Sequence, residues 1–133
     1  MGIKWIRIAV IYLLIGVLFG MYMHITIQLQ WKATHAHINL VGWLTTAAFG
    51  IFYSLYPKMG NSKLGVIHFW IHNIGLPLLL LGMLIIYIKS LRFLLEPFVW
   101  IGGLALIASI LIMLYNVFTQ VKTVGPLKEK KEE

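Results

Sequence analysis

Polar and charged residues along this chain fall into short clusters that separate four long apolar runs, roughly Trp5–Ile27, Thr34–Tyr56, Leu64–Ile88 and Glu96–Phe118. Each run exceeds the ~20 residues a helix needs to cross a hydrocarbon core about 30 Å thick. The runs are apolar on every face, a pattern that suits lipid rather than one side of a soluble bundle. Strands are excluded, because an open sheet would leave unpaired backbone groups in hydrocarbon. The pattern predicts an all-α integral membrane bundle of four transmembrane helices.

The separating clusters are short: Gln28–Ala33, Pro57–Lys63 and Lys89–Leu95. Short connections make consecutive helices antiparallel neighbours, giving an up-down-up-down order with no room for a soluble domain. A single transmembrane domain is expected over residues 1–121, with a mixed-charge, solvated tail over 122–133. The first run follows Lys4 and Arg7 as a signal peptide would, but it is too long for an h-region. No small-x-small site follows Met21-Tyr22-Met23, so it reads as a mature helix. Pro57-Lys58-Met59-Gly60-Asn61 carries turn chemistry. Pro97 falls at the first turn of the fourth helix, where its missing N–H costs nothing. Pro77 falls inside the third helix, where it frees the carbonyl of Asn73 and is expected to bend the helix. Small residues recur at packing spacing, namely Gly16 with Gly20, Gly42 with Gly50, and Gly102 with Ala105 and Ser109. In lipid, where helix association relies on close backbone approach, these are candidate helix–helix contacts.

Composition supports this class. Of 133 residues, 60% are hydrophobic and 11% charged, against about 25% charged in a soluble domain. The chain has no cysteine, which rules out disulfides, Cys-ligated zinc, iron–sulfur clusters and c-type haem attachment. The net charge of +7 raises nucleic acid as a partner, but its distribution argues against one. With both termini in the cytoplasm, Lys4, Arg7, Lys58, Lys63, Lys122, Lys128, Lys130 and Lys131 lie inside, and Lys32, Lys89 and Arg92 outside. That is the positive-inside asymmetry, and the basic charge then sets orientation and meets anionic lipid.

All five histidines, His24, His35, His37, His68 and His72, lie in or at the edge of the apolar runs. Ionisable groups there are costly and usually face a cavity, a partner or a cofactor. His24, His35 and His37 fall within about one turn of the outer interface, while His68 and His72 enter from the inner side, His72 about 12 Å deep. Residues two apart on a helix point about 200° apart, so His35 and His37 address two different sites and cannot chelate one metal. His68 and His72, four apart, share a face and can meet at one site. Neutral imidazole is the usual protein ligand of haem iron, and a bis-His site serves electron transfer. Haem suits a cysteine-free apolar bundle, with its propionates toward Lys32, Lys89 and Arg92 at the outer rim. The plainer alternative is that interfacial histidines only anchor the helices. His24 carries both readings, and His68 reads as an inner-interface hydrogen-bonding group. His72, beside Asn73, contacts either a ligand or a polar network.

The run Thr34-His35-Ala36-His37-Ile38-Asn39-Leu40-Val41-Gly42-Trp43 resembles the His-x-His-x-x-x-x-Gly-Trp segment of haem–copper oxidase catalytic subunits, in particular the C-type cytochrome oxidase and nitric oxide reductase branch. The likeness continues through Phe49-Gly50-Ile51-Phe52-Tyr53 to Pro57 and resumes at His68-Phe69-Trp70. The second and third helices carry it; the first and fourth match only in being apolar. Short four-helix proteins described as oxidase subunit I-like are similar as well. The resemblance implies a prokaryotic inner-membrane protein in which one of His35 and His37 binds a high-spin haem iron and the other a low-spin one, with Trp43 beside the site. It implies haem b, a respiratory electron donor or acceptor, and His24 or His72 as further candidate ligands.

The departures are equally informative. The oxidases use about twelve helices, and the helices bearing their second haem ligand and copper histidines have no counterpart here. No His-Pro-Glu-Val-Tyr-like segment or adjacent His-His pair occurs, so copper is not expected and one copy does not make a complete oxidase. The oxidase fold resembles three four-helix arcs, and this chain resembles the third. A homo-oligomer, such as a trimer, would rebuild the ring, with His37 of one chain and His35 of the next clamping a haem at each interface. An intrachain version pairs His24 with one histidine of the second helix. The leading expectation is a small haem b membrane protein serving electron transfer or binding oxygen or nitric oxide. A homo-oligomeric oxygen or nitric oxide reductase would need a second metal, for which His72 is the deep candidate. A structural or assembly subunit without cofactor is the third alternative.

Overall fold

The computed structural model describes residues 1–121. Four stretches are long and apolar enough to cross a membrane, Gly2–Thr26, Leu29–Leu55, Lys63–Ile85 and Lys89–Gln120. The first is the single helix α1 (Gly2–Thr26). The second begins with a 3₁₀ turn, Leu29–Trp31, and continues as α2 (Lys32–His37), a π-helical segment (Ile38–Thr45) and α3 (Thr46–Leu55). A short helical turn, α4 (Pro57–Gly60), leads to α5 (Lys63–Ile85), and a 3₁₀ stretch, Lys89–Leu94, leads to α6 (Leu95–Gln120). The expected tail over 122–133, with Lys122, Lys128, Lys130 and Lys131, lies outside the described residues.

Local chemistry sets the boundaries. Ser62 caps α5, its hydroxyl accepting from the N–H of Gly65 at 3.0 Å, which supplies one of the donors left free at a helix start. Pro57 opens α4 at its first turn, and Pro97 stands in the first turn of α6, where a missing N–H is harmless. Pro77 lies inside α5. α1 ends with Ile27 in the left-handed region, φ 55° and ψ 35°, the N–H of Gln28 donating to the Met23 carbonyl and that of Ile27 to His24. This two-bond closure usually takes glycine at the left-handed position; a β-branched residue there is strained.

Helical pairing follows the small residues. A Cβ added at Gly16 would lie 2.5 Å from Asn39 Oδ1, and one at Gly20 would lie 2.8 Å from His35 Cε1. These two positions thus form a groove on α1 that admits two side chains of the second span. Gly42 receives Tyr12, and Gly50 receives Ile6 and Trp5. On the other side of the bundle, a Cβ at Gly102 would come within 2.4 Å of the Leu79 nitrogen, and one at Gly75 within 2.5 Å of Ala105. The small residues singled out from spacing therefore do mark helix contacts, with backbone separations that only glycine permits.

The second span departs from the regular helix expected over Thr34–Tyr56. Its wide π turns displace carbonyls that threonine hydroxyls then occupy. Thr45 donates to the Leu40 carbonyl at 2.8 Å and Thr46 to the Val41 carbonyl at 3.0 Å. Helix segments of this type concentrate at functional positions, and this one lies between the His35–His37 step and the buried core.

Two apolar clusters fill the interior. One joins Trp5, Phe49, Tyr53, Met59, Phe69 and Met113 near the termini; the other joins Ile38, Leu76, Leu80 and Leu106. The amino group of Met1 donates to Asn61 at 3.5 Å, which places the N-terminus beside the 57–63 connection. At the other end Tyr87 donates to the Gln30 carbonyl. Lys4, Arg7, Lys58 and Lys63 thus share one end and Lys32, Lys89 and Arg92 the other, four against three among the described residues. Most of the remaining asymmetry expected from the sequence belongs to residues 122–133.

Candidate functional site

The five histidines divide into two sets that differ in burial and partners. His68 and His72, one turn apart on α5, are 0% and 1% exposed. Their ring centroids are 6.2 Å apart. As their spacing requires, they meet at one point: Ser109 Oγ on α6 lies 2.8 Å from His68 Nε2 and 3.1 Å from His72 Nδ1. The remaining ring nitrogens are also paired, His68 Nδ1 with the Tyr53 hydroxyl at 2.5 Å and His72 Nε2 with Thr46 Oγ1 at 3.0 Å. His68 is therefore covered by its neighbours, and the hydrogen bonding expected of it is met by side chains from the second and fourth spans. All four ring nitrogens are engaged, so His72 belongs to a polar network, the second of the two alternatives its position allowed.

Aromatic rings enclose this pair. The Trp5 ring lies 4.9 Å from His68 and 5.2 Å from His72, centroid to centroid, and Phe49 lies 4.7 and 5.3 Å from the same two rings. The indole N–H of Trp5 is buried without a hydrogen-bond partner. From the far side, Asn116 donates to the Tyr53 oxygen at 3.4 Å and Gln120 donates to Asn116 Oδ1 at 2.9 Å. Tyr53, Thr46, Ser109 and Asn116 were absent from the residues that sequence reasoning selected for chemistry. Ser109 was visible only as a small packing residue. The available signal was the seven-residue spacing of Ser109 and Asn116, two polar positions on one face of an otherwise apolar helix.

His35 and His37 are both half-buried and lie near the opposite end of the bundle. They face apart, as expected. The His35 ring lies in the notch at Gly20 against α1, 6.5 Å from the Phe19 ring. Its Nδ1 is 3.4 Å from the Asn39 amide nitrogen, which also donates to the His35 carbonyl. An amide nitrogen can only donate, so Nδ1 of His35 accepts. His37 has the reverse arrangement: its Nδ1 lies 2.8 Å from the Ala33 carbonyl. A carbonyl can only accept, so Nδ1 carries the proton and Nε2 of the neutral ring keeps its lone pair. Metal-binding histidines are commonly held in this way, with the second ring nitrogen donating to a backbone carbonyl. In the π segment that follows, Leu40, Trp43 and Leu44 are exposed apolar residues.

His24 lies in the last turn of α1 and is exposed, and Arg92 is exposed in the 3₁₀ stretch before α6. Neither is brought against His35 or His37 by a hydrogen bond among the described residues. No group of three or more His, Cys, Asp or Glu side chains positioned to hold a metal occurs among them. Open grooves score the bundle surface among the described residues. One, of about 410 Å³, lies between the first and third spans and includes Ile11, Tyr12, Ile38 and Pro77; another, of about 370 Å³, lies between the second and fourth and includes Thr45, Phe49, Ile110 and Met113. Neither is lined by a histidine.

These features define a four-span helical membrane protein with a buried polar core and a separate, half-buried histidine step. The chain is 29% identical to the cytochrome c oxidase subunit 1 homolog of Azorhizobium caulinodans over 127 aligned residues, covering 72% of this chain and 23% of that protein. It is 27% identical to the Cbb3-type cytochrome c oxidase subunit CcoN1 of Stutzerimonas stutzeri over 125 residues, covering 73% of this chain and 26% of that protein. The chain is thus a membrane protein related to haem–copper oxidase subunit I, and it spans about a quarter of the length of the curated relatives it matches. No family model matches it, and no solved structure does.

Proposed function

We propose that this chain binds haem b through His37 at the surface of the bundle, and that a second copy, offering the opposite face with His35, completes the site in a prokaryotic inner membrane. The observation that carries this reading is the His37 ring, fixed by the Ala33 carbonyl and with no hydrogen-bond partner for Nε2 among the described residues. A neutral imidazole with its distal nitrogen so held fits an axial haem ligand. His35 fits less directly, because the Asn39 amide must release its Nδ1 before the ring changes tautomer.

The relation to subunit I of cytochrome c oxidases supports haem as the group. When bound, haem would supply one-electron chemistry or a gas-binding iron, and the residues here orient the ligand and surround it with apolar surface. Electron transfer is the favoured role, because two histidine ligands leave no open iron position. Closed cyclic symmetry gives every copy the same two half-sites, and a trimer would do so with four helices per arc. Both termini lie in the cytoplasm in this reading.

The test is the absorption spectrum of detergent-purified protein, oxidised and reduced, with haem and metal content per chain. The expected result is a b-type spectrum at about one haem per chain, lost in His37→Ala and shifted in His35→Ala. No Soret band after haem is supplied would overturn the reading and favour a structural subunit without cofactor. A monomer that keeps its haem would overturn the shared site alone. A second metal at one per haem would favour the reductase.

A further inference from the structure

The hydrogen bonds of the buried core can be directed atom by atom. The Val41 carbonyl only accepts, so the Thr46 hydroxyl spends its one hydrogen there and must accept from His72 Nε2–H. Neutral His72 then has a bare Nδ1, which accepts from the Ser109 hydroxyl, and Ser109 in turn accepts from His68 Nε2–H. Bare Nδ1 of His68 accepts from the Tyr53 hydroxyl, whose oxygen accepts from the Asn116 amide. Asn116 Oδ1 is free to accept from Gln120, as it does. Every donor in the file finds one acceptor, in one direction, over elements far apart in sequence. The file starts at half-buried Gln120 and stops at Val41.

We propose that this file is a proton relay that ends in a one-proton acceptor, delivering a proton from the Tyr53 end to His72. Entry requires the buried Asn116 amide to move off the Tyr53 oxygen; as a proton from water then bonds there, the original Tyr53 O–H breaks and an N–H forms at His68 Nδ1. The His68 Nε2–H breaks and an O–H forms at Ser109; the original Ser109 O–H breaks and an N–H forms at His72 Nδ1. Tyr53, His68 and Ser109 end neutral, with His68 in the opposite tautomer, and His72 ends as imidazolium donating to Ser109 and Thr46. No electron moves. The proton stops there, because the hydrogen of Thr46 is held by a carbonyl that cannot pass one on.

Burial opposes such a charge, no cation repels it, and the one group placed to attract it is the Trp5 ring. The groups recorded against the pair are Trp5 from α1, Thr46, Phe49 and Tyr53 from the second span, and Ser109 from α6, of which only Tyr53 is titratable. Glu96, the one acidic residue in 1–121, is in the first turn of α6, at the other end. The Trp5 ring, within 5.2 Å of both imidazoles, lies inside the ~6 Å range of cation–π attraction. This proposal does not depend on haem at His37.

The test is nitrogen-15 NMR of the full chain in detergent, labelled at histidine and assigned with single histidine-to-glutamine variants, with helix content followed by circular dichroism. At pH 8 both His68 and His72 are expected as neutral Nε2–H tautomers. On acidification to pH 5, His72 is expected to become imidazolium while His68 switches to Nδ1–H at the same midpoint. Ser109→Ala is expected to abolish the His68 switch, and Ser109→Thr to restore it. If both rings stay neutral to pH 5 in folded protein, or the His68 switch persists in Ser109→Ala, the relay is overturned. Should Ser109→Ala not fold, the wild-type tautomers decide alone: an Nδ1–H ring at either position at pH 8 contradicts the derived direction.

Discussion

Two pairs of histidines on neighbouring spans have opposite fates. His68 and His72 have every ring nitrogen paired inside one chain, and no exposed surface to speak of. His35 and His37 are half-exposed, point apart, and leave both Nε2 atoms without a hydrogen-bond partner among the described residues. The first pair is complete in a single copy. The second leaves nitrogens that the described residues do not use. Spacing separates the two cases: four residues bring side chains onto one face, and two residues send them apart. The deep pair therefore holds the bundle together, and the shallow pair is free to serve a ligand.

Mutations that remove one pair's support should leave the other untouched. The largest effect is expected at Trp5, which is fully buried and packs on Phe49, Tyr53, His68, Phe69 and His72. Trp5→Ala should cost about 3 to 5 kcal/mol, read as a loss of thermal stability in detergent, whereas His37→Ala should leave stability nearly unchanged. Equal losses from both would erase the distinction drawn here. Next comes Gly102→Ala. Its methyl would be driven into the α5 backbone at Leu79 and Gly75, and separating α5 from α6 should cost about 1 to 3 kcal/mol. Because Ser109 sits on the displaced helix, the same variant should lengthen the His68–Ser109 bond, seen as a downfield loss in the imidazole N–H resonance.

A subtler lever acts on the shallow pair alone. Gly20→Ala would place a methyl 2.8 Å from His35 Cε1, forcing the ring out of its notch while His37 keeps its bond to Ala33. If His35 completes a haem site, the spectrum of the haem-loaded protein should shift while global stability falls by no more than about 1 kcal/mol. An unchanged spectrum would argue that His35 only fills the groove on α1.

The sequence was most informative where a single helix decides the outcome. Four apolar runs specify four spans, because each run's length and lack of a polar face are local properties. The opposed faces of His35 and His37 follow from helix geometry, and both lie in the regular α2, ahead of the π segment. Gly16, Gly20 and Gly102 were recognisable as contacts because lipid leaves few other uses for paired small residues. The buried network was illegible, since Tyr53, His68 and Ser109 meet only when three spans pack, with 15 and 41 residues between bonded partners. Depth along one helix says nothing of the neighbours that cover His68, so its partners were not legible from its own span. The π segment was equally hidden; its one trace was the adjacent pair Thr45-Thr46, whose hydroxyls complete the displaced carbonyls.

The smallest expected effect tests whether the shallow end is built for stability at all. Ile27 holds a left-handed conformation at φ 55° while being largely exposed, three residues beyond His24 at the end of α1. A β-branched side chain in that region costs about 1 to 2 kcal/mol relative to glycine, and its exposure means that little packing is lost on removal. Ile27→Gly should therefore stabilise the bundle, by about 1 kcal/mol once the added freedom of glycine in the unfolded chain is deducted. A raised midpoint in thermal unfolding would show that the turn between the first two spans carries strain the fold does not need. Destabilisation instead would mean that Ile27 is covered in the membrane, by lipid or by another copy, on the same side of the bundle as His35 and His37.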